Sequence, residues 1–232
     1  MKLAFGGESR AGTPGGSNQD CIRIVQPDLP PDSAKGIMFV LADGLGGYAN
    51  GEVASRLVCD ELPRLYYQST VESSRENLHE AISQANEIVY DAAQEYHGMC
   101  TTVVAAVVRG NSLVVGHVGD SKCFLIRDEK VWFATADHSV WISSFDGSGQ
   151  RYLTRTVGAR KDLVPSVSEL SLHSGDVIVF CTDGLSDALT PAEIVAGTMT
   201  DDPGGAARDL VASATQKGGT DDVSVIVVKV SE

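Results

Sequence analysis

Short runs of consecutive apolar residues, rich in Val and Ile, recur along the chain at Ile37–Ala42, Thr102–Val108, Ser112–Val118, Lys122–Ile126, Val177–Cys181 and Val223–Val230. Their shortness and β-branched content favour strands over helices. Gly110-Asn111 separates two of these runs and predicts a tight hairpin, so part of the sheet is antiparallel. Between the first run and the second, the apolar spacing changes to that of helices. Gly51–Tyr67 carries Val53, Ala54, Leu57, Val58, Leu62 and Leu65 on one face, with Pro63 as a kink or late break. Ser73-Ser-Arg-Glu76 has capping-box spacing and opens a second helix with the stripe Leu78, Ile82, Ala85, Val89, Ala92 and Tyr96, which Gly98 would cap. Thr190-Pro-Ala-Glu193 is another capping box, and Asp202-Pro203 begins a last helix on the face Ala206, Ala207, Leu210, Val211 and Ala214. The order is strand, two helices, many strands, two helices, strand. Such segregation predicts an α+β sandwich rather than alternating βαβ units.

Composition narrows the class without changing that outline. The chain has 232 residues, 43% hydrophobic and 21% charged, the ordinary globular range for one large domain or two small ones. With no repeat or linker in view, the expectation is one domain over residues 1–232, in which the polar, glycine-bearing segment 141–162 is a mobile surface loop. A net charge of −13 argues against a nucleic-acid surface, which needs clustered Lys and Arg. Apolar runs this short do not span a membrane, and "MKLAFGGESR" is too short in apolar residues for a signal peptide. The five cysteines are widely spaced and contain no C-x-x-C pair, which fits a reduced, cytoplasmic setting.

The strand ends carry the chemistry. "FVLADGLGG" ends a strand on Asp43, "VVGHVGD" on Asp120 and "VIVFCTDG" on Asp183; Asp221 precedes the last strand, and "GGSNQDCIRIV" puts Asp20 just before the first probable strand. Each Asp alone is as readily a turn residue. Five together, with Gly doublets at 46–47 and 218–219, point to convergence on one place. Clustered carboxylates repel one another, and a divalent cation removes that cost. Oxygen-only ligands suit Mg2+ or Mn2+, and two such ions about 3.5–4 Å apart are a common arrangement for phosphoester hydrolysis. Gly44 offers its carbonyl as a further ligand.

The segments "NQD", "VLADGLGGYANGEVAS", "CTTVVAAVV", "GHVGDSK", "ADHS", "YLTRTVG", "VFCTDGLSD" and "GGTDDVSVIVV" stand in the order and near the spacing of type 2C serine/threonine protein phosphatases. The chain resembles the compact bacterial branch of that metal-dependent family over almost its whole length. The resemblance implies a four-layer αββα sandwich, two antiparallel sheets face to face with helix pairs outside. It implies hydrolysis of phosphoserine or phosphothreonine by direct attack of a hydroxide bridging two ions. Asp43 resembles the bridging carboxylate, the Gly44 carbonyl a ligand of one ion, and Asp183 and Asp221 ligands of the second. Asp20 resembles the acid of the first motif, a direct ligand or the holder of a metal-bound water. Asp120 resembles a ligand, shared with Asp183, of a third and weaker ion. The implied partner is a phosphorylated protein, the substrate of a Ser/Thr kinase, and the implied state a monomer.

The chain also departs from the pattern. Gly15 stands where an Arg usually grips the substrate phosphate; Arg10, nearby in sequence, and Lys122, which follows Asp120-Ser121, are the candidate cations for that phosphate, and neither aligns with the missing Arg. Gln19 replaces a common Glu, Asp222 a common Asn, and Tyr48 a frequent His. An alternative function follows from Gly15: a phosphatase-like binding or sensor module with little turnover. Among other tempting residues, His138 is read as a structural hydrogen-bonder before a general acid, and Ser186 as a helix or turn residue without a nucleophile motif around it.

Overall fold

The computed structural model describes residues 1–27, 35–45, 50–96, 98–143 and 149–232. Among the described residues, twelve strands and five helices follow one another as β1 (Lys2–Arg10), β2 (Asp20–Val25), β3 (Ile37–Asp43), α1 (Gly51–Gln68), α2 (Ser74–Tyr96), β4 (Val103–Arg109), β5 (Ser112–Val118), β6 (Lys122–Arg127), β7 (Lys130–Ala134), β8 (Ser139–Ser143), β9 (Gly149–Leu153), β10 (Ser166–Ser171), β11 (Val177–Cys181), α3 (Asp183–Ser186), α4 (Pro191–Gly197), α5 (Pro203–Gln216) and β12 (Val223–Ser231). The strands form two five-stranded antiparallel sheets, ordered β1-β12-β11-β6-β7 and β10-β5-β4-β3-β2, plus the hairpin β8-β9.

Burial on both faces explains why the strongest strands read as continuous apolar runs rather than alternating ones. In β3, Phe39 and Leu41 face the other sheet, while Met38, Val40 and Ala42 face α1 and α2. In β12, Ile226 and Val228 point between the sheets, and Val225 and Val227 toward α3–α5. The result is the expected αββα sandwich. Aromatic contacts stitch its middle: Phe39 stacks on Phe180 at 5.8 Å between centroids, and Phe5 meets Phe39 edge-on at 5.5 Å. Such pairs add about 0.5–1.5 kcal/mol each beyond their burial.

The helix ends follow the local signals. Thr190 caps α4 with the full reciprocal box to Glu193, and Asp202 caps α5 through the Gly204 N–H. Ser73 accepts the Glu76 N–H at 3.3 Å, and Gly98, at φ 84°, donates to the Ala93 carbonyl. Two details differ from expectation. The α1 helix runs through Pro63 to Gln68, because Leu62, Pro63 and Tyr66 are buried against the sheet and packing outweighs the lost bond. Val53 is exposed rather than part of the buried stripe. The segment 141–162, expected as a surface loop, carries most of β8 and all of β9, paired from Ser139↔Leu153 to Ser143↔Gly149. The expectations at Gly46, Gly47 and Tyr48 fall outside the described residues. Among the described residues no helix is long and apolar enough to cross a membrane.

Candidate metal centre

Asp43 closes β3, and its register partner on the neighbouring strand is Asp20, the first residue of β2. Like charges directly opposite one another repel, so the backbone must hold them there. The Asp43 carbonyl accepts the Thr102 N–H at 2.8 Å and the Thr101 hydroxyl at 2.7 Å, and its own N–H donates to the Thr102 hydroxyl at 3.2 Å. The Gly44 N–H donates to the Gln19 carbonyl at 3.1 Å. A Cβ on Gly44 would lie 2.3 Å from the Gly51 oxygen, so only glycine lets the first turn of α1 come this close behind Asp43.

A hydrogen-bond chain fixes Asp20 from the other sheet. The Ser224 N–H donates to the Thr182 hydroxyl at 3.0 Å, which donates to Asp20 Oδ2 at 3.0 Å. Asn18 accepts the Asp20 N–H at 3.0 Å and donates to Ser9 Oγ at 2.8 Å. Asp20 Oδ1 is buried and has no hydrogen-bond partner. Asp120 follows β5 and is buried, Asp183 opens α3 straight after β11, and Asp221 is exposed just before β12. Thus all five strand-edge aspartates sit at one end of the sandwich, drawn from segments far apart in sequence.

Their electrostatics records that proximity. Burial raises Asp43 well above the ordinary carboxylate range, and Asp20, Asp183, Asp221 and Asp120 push it the same way. Burial lifts Asp20 to about 7; Asp222 and Asp183 add to the rise, while hydrogen bonds with Ser224 and Thr182 oppose it. Asp183 rises to about 6, through burial first and then the charges of Asp120, Asp221 and Asp187, against the pull of Arg151. Asp120 is raised by burial and lowered by Arg151. Among the described residues, no three His, Cys, Asp or Glu side chains form a ready-made ion cage, so a bound cation would have to draw these carboxylates closer together.

Arg151 of β9 is the residue that sequence reasoning missed. Its Nη2 lies 3.3 Å from Asp120, 3.1 Å from Asp183 and 3.0 Å from Asp187. No spacing signals it: one Arg among the three of a polar segment, with Arg155 and Arg160, it stands out only when the hairpin folds over the carboxylates. Asp222, which stands where Asn is common, is a clasp. Its two oxygens accept the Gly12 N–H at 2.9 Å and the Gln19 N–H at 2.7 Å, tying the loop before β2 to the start of β12. The Gln19 side chain donates to Glu52 at 3.4 Å. Of the two candidate phosphate cations, Lys122 is ion-paired with Asp137, whereas Arg10 is exposed at the end of β1, opposite Val223. Gly15 has φ 79° and open space around it. A cleft of about 410 Å³ opens beside the carboxylates, lined in part by Asp183, Asp187, Lys217, Thr220 and Asp221.

The profile of the family described as Protein phosphatase 2C matches residues 12–203. The chain is 28% identical to the protein phosphatase PhpP of Streptococcus pneumoniae over 213 residues, covering 84% of this chain and 86% of that one. It is 30% identical over 209 residues to the serine/threonine protein phosphatase PstP of Mycobacterium tuberculosis, covering 83% of this chain and 40% of the longer relative. The solved structure of Mycobacterium tuberculosis PstP/Ppp matches 99% of both chains with a TM-score of 0.82 at 25% identity. A PstP catalytic domain in complex with 2 manganese ions has the same fold, with a TM-score of 0.76 at 24% identity over 99% of both chains. With its profile spanning most of the sequence and its sandwich shared throughout, the chain belongs to the protein phosphatase 2C family, the metal-dependent serine/threonine protein phosphatases.

Proposed function

We propose that this chain, as one domain over residues 1–232, removes phosphate from phosphoserine and phosphothreonine of proteins with Mg2+ or Mn2+ as cofactor. The observation that carries the reading is the shared field of Asp20, Asp43, Asp120, Asp183 and Asp221, with Asp20 Oδ1 buried and unpartnered among them. A set of oxygens alone suits a hard divalent cation, and such an ion relieves the repulsion that raises Asp43, Asp20 and Asp183. Asp43 would bridge two ions, with the Gly44 carbonyl on one and Asp183 and Asp221 on the second. Asp20 would bind an ion directly or hold a coordinated water, and Asp120 would share a third, weaker ion with Asp183. The two manganese ions bound by the PstP catalytic domain are in keeping with this assignment. When bound, the ions would supply activation of the attacking water and neutralise charge on the phosphoryl oxygens, with no phosphoenzyme.

The chain's own residues set the geometry. Thr101 and Thr102 fix the Asp43 backbone, and Thr182 and Asn18 fix Asp20. Arg151 spans Asp120 and Asp183, the pair assigned to the third ion. Arg10, without a salt bridge among the described residues, is the better-placed cation for the substrate phosphate; Lys122 is held by Asp137. The partner is a phosphoprotein made by a Ser/Thr kinase, and the chain acts as a monomer in the cytoplasm, a setting that suits its five free cysteines. The binding-module alternative has only the open position at Gly15 in its favour.

The test is hydrolysis of a phosphothreonine peptide with Mn2+, with EDTA, and with Asp183→Asn. Turnover that needs Mn2+ and falls by orders of magnitude in the variant is expected. A well-folded protein with no metal-dependent turnover would refute the reading.

A further inference from the structure

His138 lies between β7 and β8 and meets the turn that bears Asp120. The Gly119 N–H donates to His138 Nδ1 at 3.2 Å, and the His138 N–H donates to the Gly119 carbonyl at 2.9 Å. Asp120 is the next residue. The His138 carbonyl accepts the Thr154 N–H at 2.8 Å, just outside β9, so the same residue closes the base of the hairpin that carries Arg151. On its other side the ring reaches Ser166 Oγ of β10 at 2.9 Å and stacks on His117, centroids 4.5 Å apart and planes 17° apart.

These contacts fix the tautomer. A backbone N–H can only donate, so His138 Nδ1 must be unprotonated; the ring proton then sits on Nε2 and faces Ser166 Oγ at 2.9 Å, with the donor-only guanidinium of Arg155 at a longer 3.4 Å. His117 is fixed in the same form, its Nε2–H donating to the Ala136 carbonyl at 2.8 Å. Both His138 nitrogens are therefore engaged by protein groups, and the one ring proton is committed to Ser166 rather than to a substrate, which argues against the general-acid reading. A second proton would set Nδ1–H against the Gly119 N–H. Burial, with His117 and Arg155 beyond it and Asp137 opposing, holds His138 down at about 4.

We propose that His138 is a positioning residue: its Nδ1 anchors the Gly119–Asp120 turn and registers that turn against the hairpin carrying Arg151. The proposal rests on the assignment of Asp120 as a ligand of the third ion. A displaced turn would loosen Asp120 and the Arg151 contact together, since both hang from the same residue.

Full-length variants separate anchoring from bulk packing. His138→Asn sets an amide oxygen near the place of Nδ1, whereas His138→Gln sets its acceptor near Nε2. In metal-depleted protein, hydrogen exchange at the Gly119 amide should quicken about tenfold in His138→Gln, the loss of one hydrogen bond, and stay within about threefold of wild type in His138→Asn. Titrated with Mn2+ in a calorimeter, His138→Gln should lose about tenfold in affinity at the weakest site. On a phosphothreonine peptide its kcat should fall with KM unchanged, and His138→Asn should recover much of the loss. Wild-type exchange at Gly119 in His138→Gln, or an equal fall in both variants, would overturn the proposal. If neither variant folds, the ring nitrogen shifts of the wild type decide: unprotonated Nδ1 with protonated Nε2 supports the anchor, and the opposite tautomer overturns it. Exchange and ring shifts need neither metal nor substrate. Fast Gly119 exchange confined to His138→Gln therefore supports the anchor even in a protein that turns nothing over, where only the phosphatase reading would fall.

Discussion

Asp20→Asn should make the metal-depleted protein more stable and the metal-loaded protein less so. The folded chain lifts the Asp20 carboxyl from 3.8 to about 7, mainly by burial. The sign follows from which state holds the proton more tightly. A raised acid adds no penalty below the unfolded value near 4; the penalty grows as pH rises toward 7 and is complete above it. Three decades of proton affinity correspond to about 4 kcal/mol, which partial exposure of the side chain trims to roughly 2–4 kcal/mol. Asparagine removes the charge and keeps an acceptor for the Thr182 hydroxyl that now donates at 3.0 Å. In EDTA at pH 8 the variant should therefore gain roughly 2–4 kcal/mol, or about 5–15 °C in Tm for a chain of this size. At pH 5 the gain should shrink to roughly 0.8–1.5 kcal/mol, because folded Asp20 is then largely neutral. Scanning calorimetry of both proteins at the two pH values reads the difference directly. With saturating Mn2+ the order should invert, since the ions would stabilise the folded wild type, which keeps Asp20, more than the variant. A variant that is destabilised in EDTA at pH 8, or equally stabilised at both pH values, would refute the argument that Asp20 is a strained carboxylate awaiting a cation.

Further outcomes follow from neighbouring groups. Asp222→Ala leaves the Gly12 and Gln19 N–H groups without their carboxylate and should cost about 2–3 kcal/mol. A shifted urea midpoint at constant m checks this, and a change below about 0.5 kcal/mol would contradict the clasp. Thr190→Ala breaks the capping box of α4 and should cost about 1 kcal/mol by the same measurement; no shift would mean that α4 is held by packing alone. Small aryl phosphates should bind weakly, because Gly15 supplies no guanidinium and binding energy must come from the rest of a protein substrate. Saturation at micromolar concentrations would contradict that.

What could be read from the sequence is what burial writes into it. Strands β3, β4, β5, β6, β11 and β12 are covered on both faces, so their apolar runs stand out. Capping residues at Thr190 and Asp202 act through neighbours three or fewer positions away, and local spacing suffices to find them. Strands β1, β7, β8, β9 and β10 are edge or hairpin strands with exposed positions, and polar residues there hide the alternation. The β6–β7 turn carries no glycine signal either: Asp128 and Glu129 both take positive φ. In the candidate site, the aspartates announced themselves by repeating one motif, a carboxylate at a strand edge. Arg151 and Asp222 did not. Arg151 lies 32 residues from Asp183, and Asp222 lies 203 from Gln19, so their roles exist only in the folded register.

The central claim is that the strand-edge carboxylates enclose a pair of divalent ions, and anomalous diffraction from crystals grown with Mn2+ tests it most directly. Two strong peaks about 3.5–4 Å apart are expected, with Asp43 between them and Asp183 and Asp221 beside one. Their absence from this end of the sandwich, with manganese bound elsewhere or not at all, would contradict it.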